Sequence, residues 1–460
     1  MLAEQHTCRV ACDQSPLERV GSMRKFTVYE QATLTREYIR RYPSLHRFTD
    51  KPVDEIAGWQ LGQLQQIVRM AYENTRFYRR LYSDAGAHPN DIRSLDDFKN
   101  LPTVTKNDII ENQNDCIVEP RRHEKNLRVS RSSGSSGQIL EIIAGTDRWV
   151  QSALLMLRMY QRALHFGPFD RGALIYTSQY PFQSAWGLYP VKYLYTLTPP
   201  SELISGLERI RPSYTISYPS ILAELAALYP DRCNSLGVSG IATNSEHSTQ
   251  AQRDHLSEIF AAPVFDEYSS EELILGGFQC EAGEYHLQED CAYLEILETR
   301  SPQEVAPGAT GEIVGTSLVH KVMPFIRYRQ GDLAAITPSM CICGSSFRIL
   351  GHIGGRRNAS FQLRGGHTVP SGRILDWTYK LVLDFHLPIA QFQVIQHELH
   401  RMEVVIVTST SADLTAPQHN VIMESFQTLF EASMDVEVRR VGTIPRTSAG
   451  KHMPIVSHVT

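Results

Sequence analysis

Between residues 172 and 268, short apolar runs alternate with helix-period segments, and no other feature of the chain constrains its fold as strongly. Strand-like runs fall at residues 172–177, 214–217, 240–243 and 263–268, with amphipathic stretches at 221–229 and 253–260 between them. That rhythm predicts βα units and an α/β sheet. Upstream, residues 146–163 place Trp149, Ala153, Leu154, Leu157 and Tyr160 on one helical face. Downstream, residues 285–336 read as β-rich with short turns, which predicts an antiparallel or barrel-like addition.

The two ends read differently. Residues 28–114 are helical in pattern, with Leu61, Leu64, Ile67 or Val68, and Ala71 sharing a face, and Thr105 with Asp108 forms a helix-start signal. The glycine-punctuated stretch 351–358 reads as a boundary or hinge. Beyond it come strand patterns at 391–395, 402–407 and 435–438 and a helix pattern at 418–432, an α+β rhythm. A chain of 460 residues exceeds one ordinary core. The expected division is a disordered segment at 1–24, a large multi-layer α/β domain with a β-rich subdomain at 25–355, and a small α+β domain on a hinge at 356–460.

Composition excludes several classes. A net charge of -5 and a pI near 6.4 give no basis for nucleic-acid binding. No apolar run reaches the roughly 18 residues that a membrane span needs. Residues 1–21 carry no apolar signal core, and eight cysteines in a chain of this size do not make a disulfide framework. A cytoplasmic protein with reduced thiols is expected.

Ser132, Ser133, Gly134, Ser135, Ser136 and Gly137 lie between two strand-like runs. Glycines allow close backbone approach, and hydroxyls with exposed N–H groups donate to phosphate oxygens. The loop lacks the Gly-Lys-Ser/Thr ending of a Walker A motif. It is followed by Asp266-Glu267-Tyr268-Ser269-Ser270-Glu271-Glu272, by Ile326-Arg327-Tyr328-Arg329-Gln330-Gly331-Asp332, by Gly354-Gly355-Arg356 and by Pro445-Arg446-Thr447-Ser448-Ala449-Gly450-Lys451. In this order and spacing the motifs resemble the adenylate-forming superfamily of acyl-CoA synthetases, adenylation domains and luciferases. The phrases at 72–78 and 101–106 make the chain most similar to the branch of phenylacetate–CoA ligase and related coenzyme synthetases.

The resemblance implies an enzyme that activates a carboxylic acid with ATP and Mg²⁺ to an acyl-adenylate, releases pyrophosphate and passes the acyl group on. Residues 132–137 would hold the β- and γ-phosphates. Ser245, Glu246 and Tyr268 would border the adenine, Asp332 would accept from the ribose hydroxyls, and Arg356 would complete ribose and phosphate recognition. Glu272 would help hold Mg²⁺, with Glu271 as the alternative. Lys451 would bridge carboxylate and α-phosphate oxygens, a task suited to a point charge on a flexible stem. Gln138 stands where the family often has lysine, so one phosphate-loop cation is missing.

The small domain would then swing about Arg357-Asn358 to admit the acceptor, with CoA as expected cosubstrate and a carrier-protein thiol or an amine as alternatives. Activation of another oxyanion also stays open. A homodimer is an expectation of the resemblance alone. Tyr180, Phe182 and Trp186 are candidates to line an aryl or arylacetic acid pocket. Separately, Cys280, His286, Cys341 and Cys343 are three thiols and an imidazole, a donor set that satisfies tetrahedral Zn²⁺ in a closed, structural site.

Overall fold

The computed structural model describes residues 26–132, 139–177, 187–447 and 450–459, save the side chain of His352. The expected disorder of residues 1–24 falls outside them. The chain opens with five helices: α1 (Val28–Phe48), α2 (Val53–Asn74), α3 (Arg76–Asp84), α4 (Leu95–Lys99) and α5 (Lys106–Glu111). A hairpin of β1 (Arg128–Arg131) and β2 (Glu141–Ala144) leads to α6 (Thr146–Leu164). The alternating region gives β3 (Gly172–Tyr176), β4 (Val191–Tyr195), α7 (Pro200–Ile210), β5 (Tyr214–Ser217), α8 (Pro219–Leu228), α9 (Pro230–Asn234), β6 (Gly240–Thr243), α10 (Gln250–Phe260) and β7 (Val264–Ser270).

Strands β7, β6, β5, β3 and β4 lie in that order and run parallel. Parallel sheets need cover on both faces. Here Leu174 of β3 points toward α6, while Ala173 and Ile175 point toward α7, α8 and α10. Leu222 and Leu225 of α8 are fully buried there, each worth about 1.5–3 kcal/mol relative to exposure.

The β-rich region comprises β8 (Ile274–Gln279), β9 (Tyr285–Leu287), β10 (Ala292–Leu297), β11 (Gly311–Ser317), β12 (Tyr328–Thr337) and β13 (Ile349–Arg356). It is antiparallel but closes no separate barrel. In the order β10-β11-β12-β13-β9-β8 it joins β7 and continues the same sheet to eleven strands. Most of the glycine-punctuated stretch 351–358 lies in strand β13, paired with β12 from Asp332–Arg356 to Thr337–Ile349. Bulges between Leu333 and Ala334 and between Ala335 and Ile336 absorb its irregular glycines.

A buried arginine ties the helical start to this sheet. Arg327 and Glu295 are 1% and 0% exposed and form a 2.8 Å ion pair. Arg327 also donates to the carbonyls of Lys99 and Leu101. Val104 then bridges to Tyr328 like a short added strand, its N–H reaching the Arg327 carbonyl at 2.9 Å. Removing one partner of such a pair typically costs ~3–5 kcal/mol.

After β14 (Phe361–Gln362) and β15 (Thr368–Val369) comes α11 (Ser371–Asp384), then β16 (Ile389–Glu398), β17 (Arg401–Thr408), α12 (Ala416–Leu429), β18 (Asp435–Arg440) and β19 (Ile455–Ser457). The last sheet has the order β18-β17-β16-β19. Ile374 and Leu375 of α11 and Ile422 and Phe426 of α12 pack with Val394, Val404 and Ile406 into a separate core. No helix among the described residues is long and apolar enough to cross a membrane.

Candidate functional site

Three features of the backbone bring distant residues to one place. The first is the β1–β2 hairpin: the Ser132 N–H donates to the Leu140 carbonyl at 2.9 Å, and the Leu140 N–H donates to Ser132 Oγ at 3.0 Å. These two bonds brace the ends of the Ser/Gly loop. Ser133, Gly134, Ser135, Ser136 and Gly137 themselves lie outside the described residues, as do Tyr180, Phe182 and Trp186.

The second is the Val104–Tyr328 bridge, which delivers Thr105, Lys106 and Asn107 to the same region. Thr105 caps α5 with a reciprocal Asp108 capping box, as the sequence predicts, and so sets Lys106 at the first helical position. The third is the turn before β19, which carries Lys451.

These converge on a cavity of about 520 Å³. Its walls include Ser132, Ser245, Glu271, Glu272, Arg356 and Lys451, each singled out from sequence, together with Lys106, Tyr328 and Gln330. Arg356 makes a 2.9 Å ion pair from Nε to Asp332 Oδ1 and donates through Nη1 to the Gln330 carbonyl at 3.1 Å. The Tyr268 hydroxyl donates to Asp332 Oδ2 at 2.9 Å. Tyr268, Asp332 and Arg356 are therefore one bonded unit, of which Arg356 lines the cavity. The Asp332 carboxylate holds the Arg356 guanidinium above its ordinary range, and burial beside that carboxylate pushes the Tyr268 phenol up.

The two adjacent glutamates differ. Glu271 Oε2 is ion-paired with Arg148 Nη2 at 3.2 Å, and its backbone carbonyl receives His320 Nε2 at 3.1 Å. Glu272, 8% exposed, accepts from the neutral Tyr328 hydroxyl at 3.2 Å. Burial raises the Glu272 carboxyl above the ordinary carboxylate range, against the pull of Arg356 and Lys106. Burial lowers the Lys451 ammonium, with Arg356 adding to the effect and Glu246, Glu271 and Glu272 opposing it.

Glu246 is placed beside the first turn of α8. It is not among the residues lining the cavity, and its carboxylate is bonded to backbone N–H groups of Ser220 and His452. Ser245 sits in the left-handed region at φ 67°, with its hydroxyl 2.8 Å from that of Tyr176. Lys106 and Tyr328 were not singled out from sequence as site residues. The capping box carried a signal for Lys106, whereas Tyr328 acquires its place only through strand pairing.

A larger cavity, about 650 Å³, lies beside α1 and α6 and shares no residue with this site. Charges there are closed on one another: Arg121 reaches Glu124 at 2.6 Å and Asp147 at 2.8 Å.

The Cys/His set also comes together. One donor atom each from Cys280, His286, Cys341 and Cys343 lies within 4.8 Å of the others. Cys280 Sγ is 3.6 Å from Cys341 Sγ, and Cys343 Sγ is 3.2 Å from His286 Nε2. His286 Nδ1 lies 3.0 Å from the Phe347 carbonyl, which orients the ring with Nε2 toward the thiols. The Cys343 N–H lies 3.5 Å from Cys341 Sγ, and Gly344 follows in the left-handed region at φ 81°. Burial and the neighbouring thiols push Cys343 up to about 11.

Residues 378–458 match the family model described as the CapK C-terminal domain. Phenylacetate-coenzyme A ligase from Escherichia coli (strain K12) is 27% identical over 425 residues, covering 87% of this chain and 94% of that one. Among solved structures, 2-hydroxyisobutyryl-CoA ligase in the postadenylation state with 2-HIB-AMP aligns with a TM-score of 0.76 at 21% identity, over 90% of this chain and 92% of that one. The same enzyme in the thioesterification state with 2-HIB-AMP and CoA aligns at 0.61 and 21% identity, over 89% and 91% of the two chains.

Proposed function

As a member of the adenylate-forming ligases related to phenylacetate–coenzyme A ligase, the chain, we propose, joins an aryl or arylacetic acid to CoA through residues of the 520 Å³ cavity. Activation of an acid as its adenylate and transfer to CoA is the shared chemistry of its relatives. The aryl preference is the finer reading, supported by the names of the curated relatives and by the aromatic stretch that includes Tyr180, Phe182 and Trp186.

One observation carries the assignment of the site. Glu272, Arg356 and Lys451 are far apart in the chain, yet they line one cavity, with Asp332 paired to Arg356. ATP and a carboxylate repel one another, so their reaction needs cations that neutralise and align them. Lys451 would do so at the carboxylate and α-phosphate. Asp332 would accept from the ribose diol, an acceptor-only group with two oxygens, and Arg356 would stand beside it. Glu272 would help hold Mg²⁺, because Glu271 is already committed to Arg148. That ion would neutralise phosphate charge. Residues 25–355 would form the large domain and 356–460 the mobile one, turning at Arg357-Asn358.

The four Cys/His residues fit a structural Zn²⁺: soft thiolates with one imidazole, four donors, and a carbonyl orienting the histidine. Bound there, zinc would tie β8 and β9 to the 341–344 turn.

ATP–pyrophosphate exchange across a panel of carboxylic acids tests the activity. Exchange with aryl acids, followed by CoA-dependent AMP release and thioester formation, is expected. No exchange with any acid would overturn the reading, and exchange without thioester would replace CoA by another acceptor. Metal analysis of the purified protein, with Cys341→Ser as control, tests zinc.

A further inference from the structure

Lys451 is flanked by residues anchored on one side to α8 and on the other to Glu246 after β6, and the anchors are side chains that do not line the cavity. Within the turn, the Thr447 N–H donates to the Lys451 carbonyl at 2.9 Å, and the Lys451 N–H returns to Thr447 Oγ1 at 3.1 Å. Gly450 has φ 67°, and a Cβ there would lie 2.2 Å from Thr196 Oγ1, so the turn presses directly on the end of β4. On the entry side, Arg446 donates to Ser220 Oγ at 2.8 Å and pairs with Glu224 Oε2 at 2.9 Å, both side chains of that pair being mostly buried. On the exit side, the His452 N–H donates to Glu246 Oε1 at 2.6 Å. The other oxygen, Oε2, accepts from the Ser220 N–H at 3.2 Å.

The chemistry of these contacts is uneven in a useful way. Helix α8 has no side-chain cap of its own. Glu246 supplies a carboxylate to its first turn, where unsatisfied N–H groups and the helix dipole favour negative charge. One carboxylate thus joins the start of α8 to the residue that follows Lys451. Charge-assisted hydrogen bonds of this kind are stronger than neutral ones.

We propose that Glu246 and Arg446 are positioning residues that clamp the Lys451 turn in its adenylating place, and that they act on the first half-reaction and not on the second. The inference rests on the adenylating role proposed for Lys451. It differs from the sequence expectation for Glu246, which was contact with the nucleotide. Because the clamp ties Arg446 and His452 to α8 and Glu246, it must open whenever Lys451 withdraws from the cavity. Its loss therefore weakens the step that needs Lys451 and spares the step that does not.

The test uses the full-length protein with Glu246→Ala, Glu246→Gln and Arg446→Ala, each checked for an unchanged melting profile. Two half-reactions are measured: ATP–pyrophosphate exchange, and thioester formation from supplied acyl-adenylate and CoA. Glu246→Ala and Arg446→Ala are expected to lower exchange by roughly 10–100-fold, as loss of a charged hydrogen bond does, while thioester formation stays within about threefold. Glu246→Gln, which keeps an acceptor oxygen, falls between. Amide hydrogen exchange of the peptide containing His452 supplies a readout independent of turnover, and Glu246→Ala is expected to speed it at least about tenfold.

Equal slowing of both half-reactions would reduce Glu246 to a structural residue and overturn the proposal. So would unchanged protection of the His452 peptide. If the wild-type protein exchanged pyrophosphate with no acid, the activity reading would fail by itself, and the amide exchange would still decide whether Glu246 clamps the turn.

Discussion

The Cys/His cluster and the 520 Å³ cavity are both polar constellations drawn from distant parts of the chain, but their donors face differently. In the cluster, Cys280, His286, Cys341 and Cys343 point at one another, and a backbone carbonyl fixes the histidine from behind. In the cavity, Glu272, Arg356 and Lys451 line a space large enough for a small ligand, with Asp332 and Tyr268 bracing Arg356. A set of donors that closes on a point suits an ion and leaves no room for reaction. A set that surrounds a volume suits a substrate. The first should therefore govern stability and the second turnover.

The sharpest way to break that contrast is Lys451→Ala. Removing a charge directed at the transition state typically costs ~10²–10³ in rate. Pyrophosphate exchange is expected to fall by that much, with the melting temperature unchanged and thioester formation from supplied acyl-adenylate retained. Exchange that survived the substitution would show that the cavity does not depend on this cation.

Cys341→Ser addresses the other side. A four-ligand site that loses one thiolate is expected to lose its metal and about 3 kcal/mol of stability, read from denaturant unfolding. Exchange per folded molecule should stay near wild type, because the cluster's residues do not line the cavity. A metal-free wild-type protein, or a variant as stable as wild type, would remove the structural role.

The two regions were unequally legible. The cluster could be read from residue type, since three thiols and an imidazole have few other uses in combination, and its assembly needed only β8, β9 and the 341–344 turn to come together. Lys451 and Asp332 could be read from motif order. The bonds of Glu246 could not be read, because its neighbours in sequence say nothing of Ser220 or of His452, to which it is bonded. Tyr328 was hidden for the same reason. The βα rhythm predicted the parallel half of the sheet, where burial on both faces leaves an apolar signature. It did not predict that β8–β13 would extend that sheet instead of forming a barrel, since edge pairing of β7 with β8 is a choice of partner and not of pattern. The strand that holds most of the glycines of 351–358 was hidden because irregular pairing with β12 tolerates residues that a regular strand disfavours.

Asp332→Asn is the next discriminating change. It keeps shape but removes the charge that pairs with Arg356 and turns one of the two acceptor oxygens into a donor. kcat/KM for ATP is expected to fall about 10–30-fold through KM, the scale of one charged hydrogen bond. The cluster should be indifferent, and metal content unchanged. A fall in kcat alone would instead assign Asp332 to the chemical step.

The smallest effect expected is a displacement along the pH axis, and it separates the two regions by sign. Burial, with Arg356, holds the Lys451 ammonium below the lysine value of 10.5. The charged form is the active one, so exchange should decline as pH rises through that lowered value, earlier than for an exposed lysine. Glu246 opposes the lowering. Glu246→Gln should therefore move the alkaline limb to still lower pH, and Lys451→Arg should flatten it, because guanidinium stays protonated throughout. At the cluster the reverse holds: thiolates are the ligating forms, so rising pH favours metal retention. An alkaline loss of pyrophosphate exchange with metal still bound places the titrating group in the cavity, whereas simultaneous loss of both would mean that the two regions do not work independently.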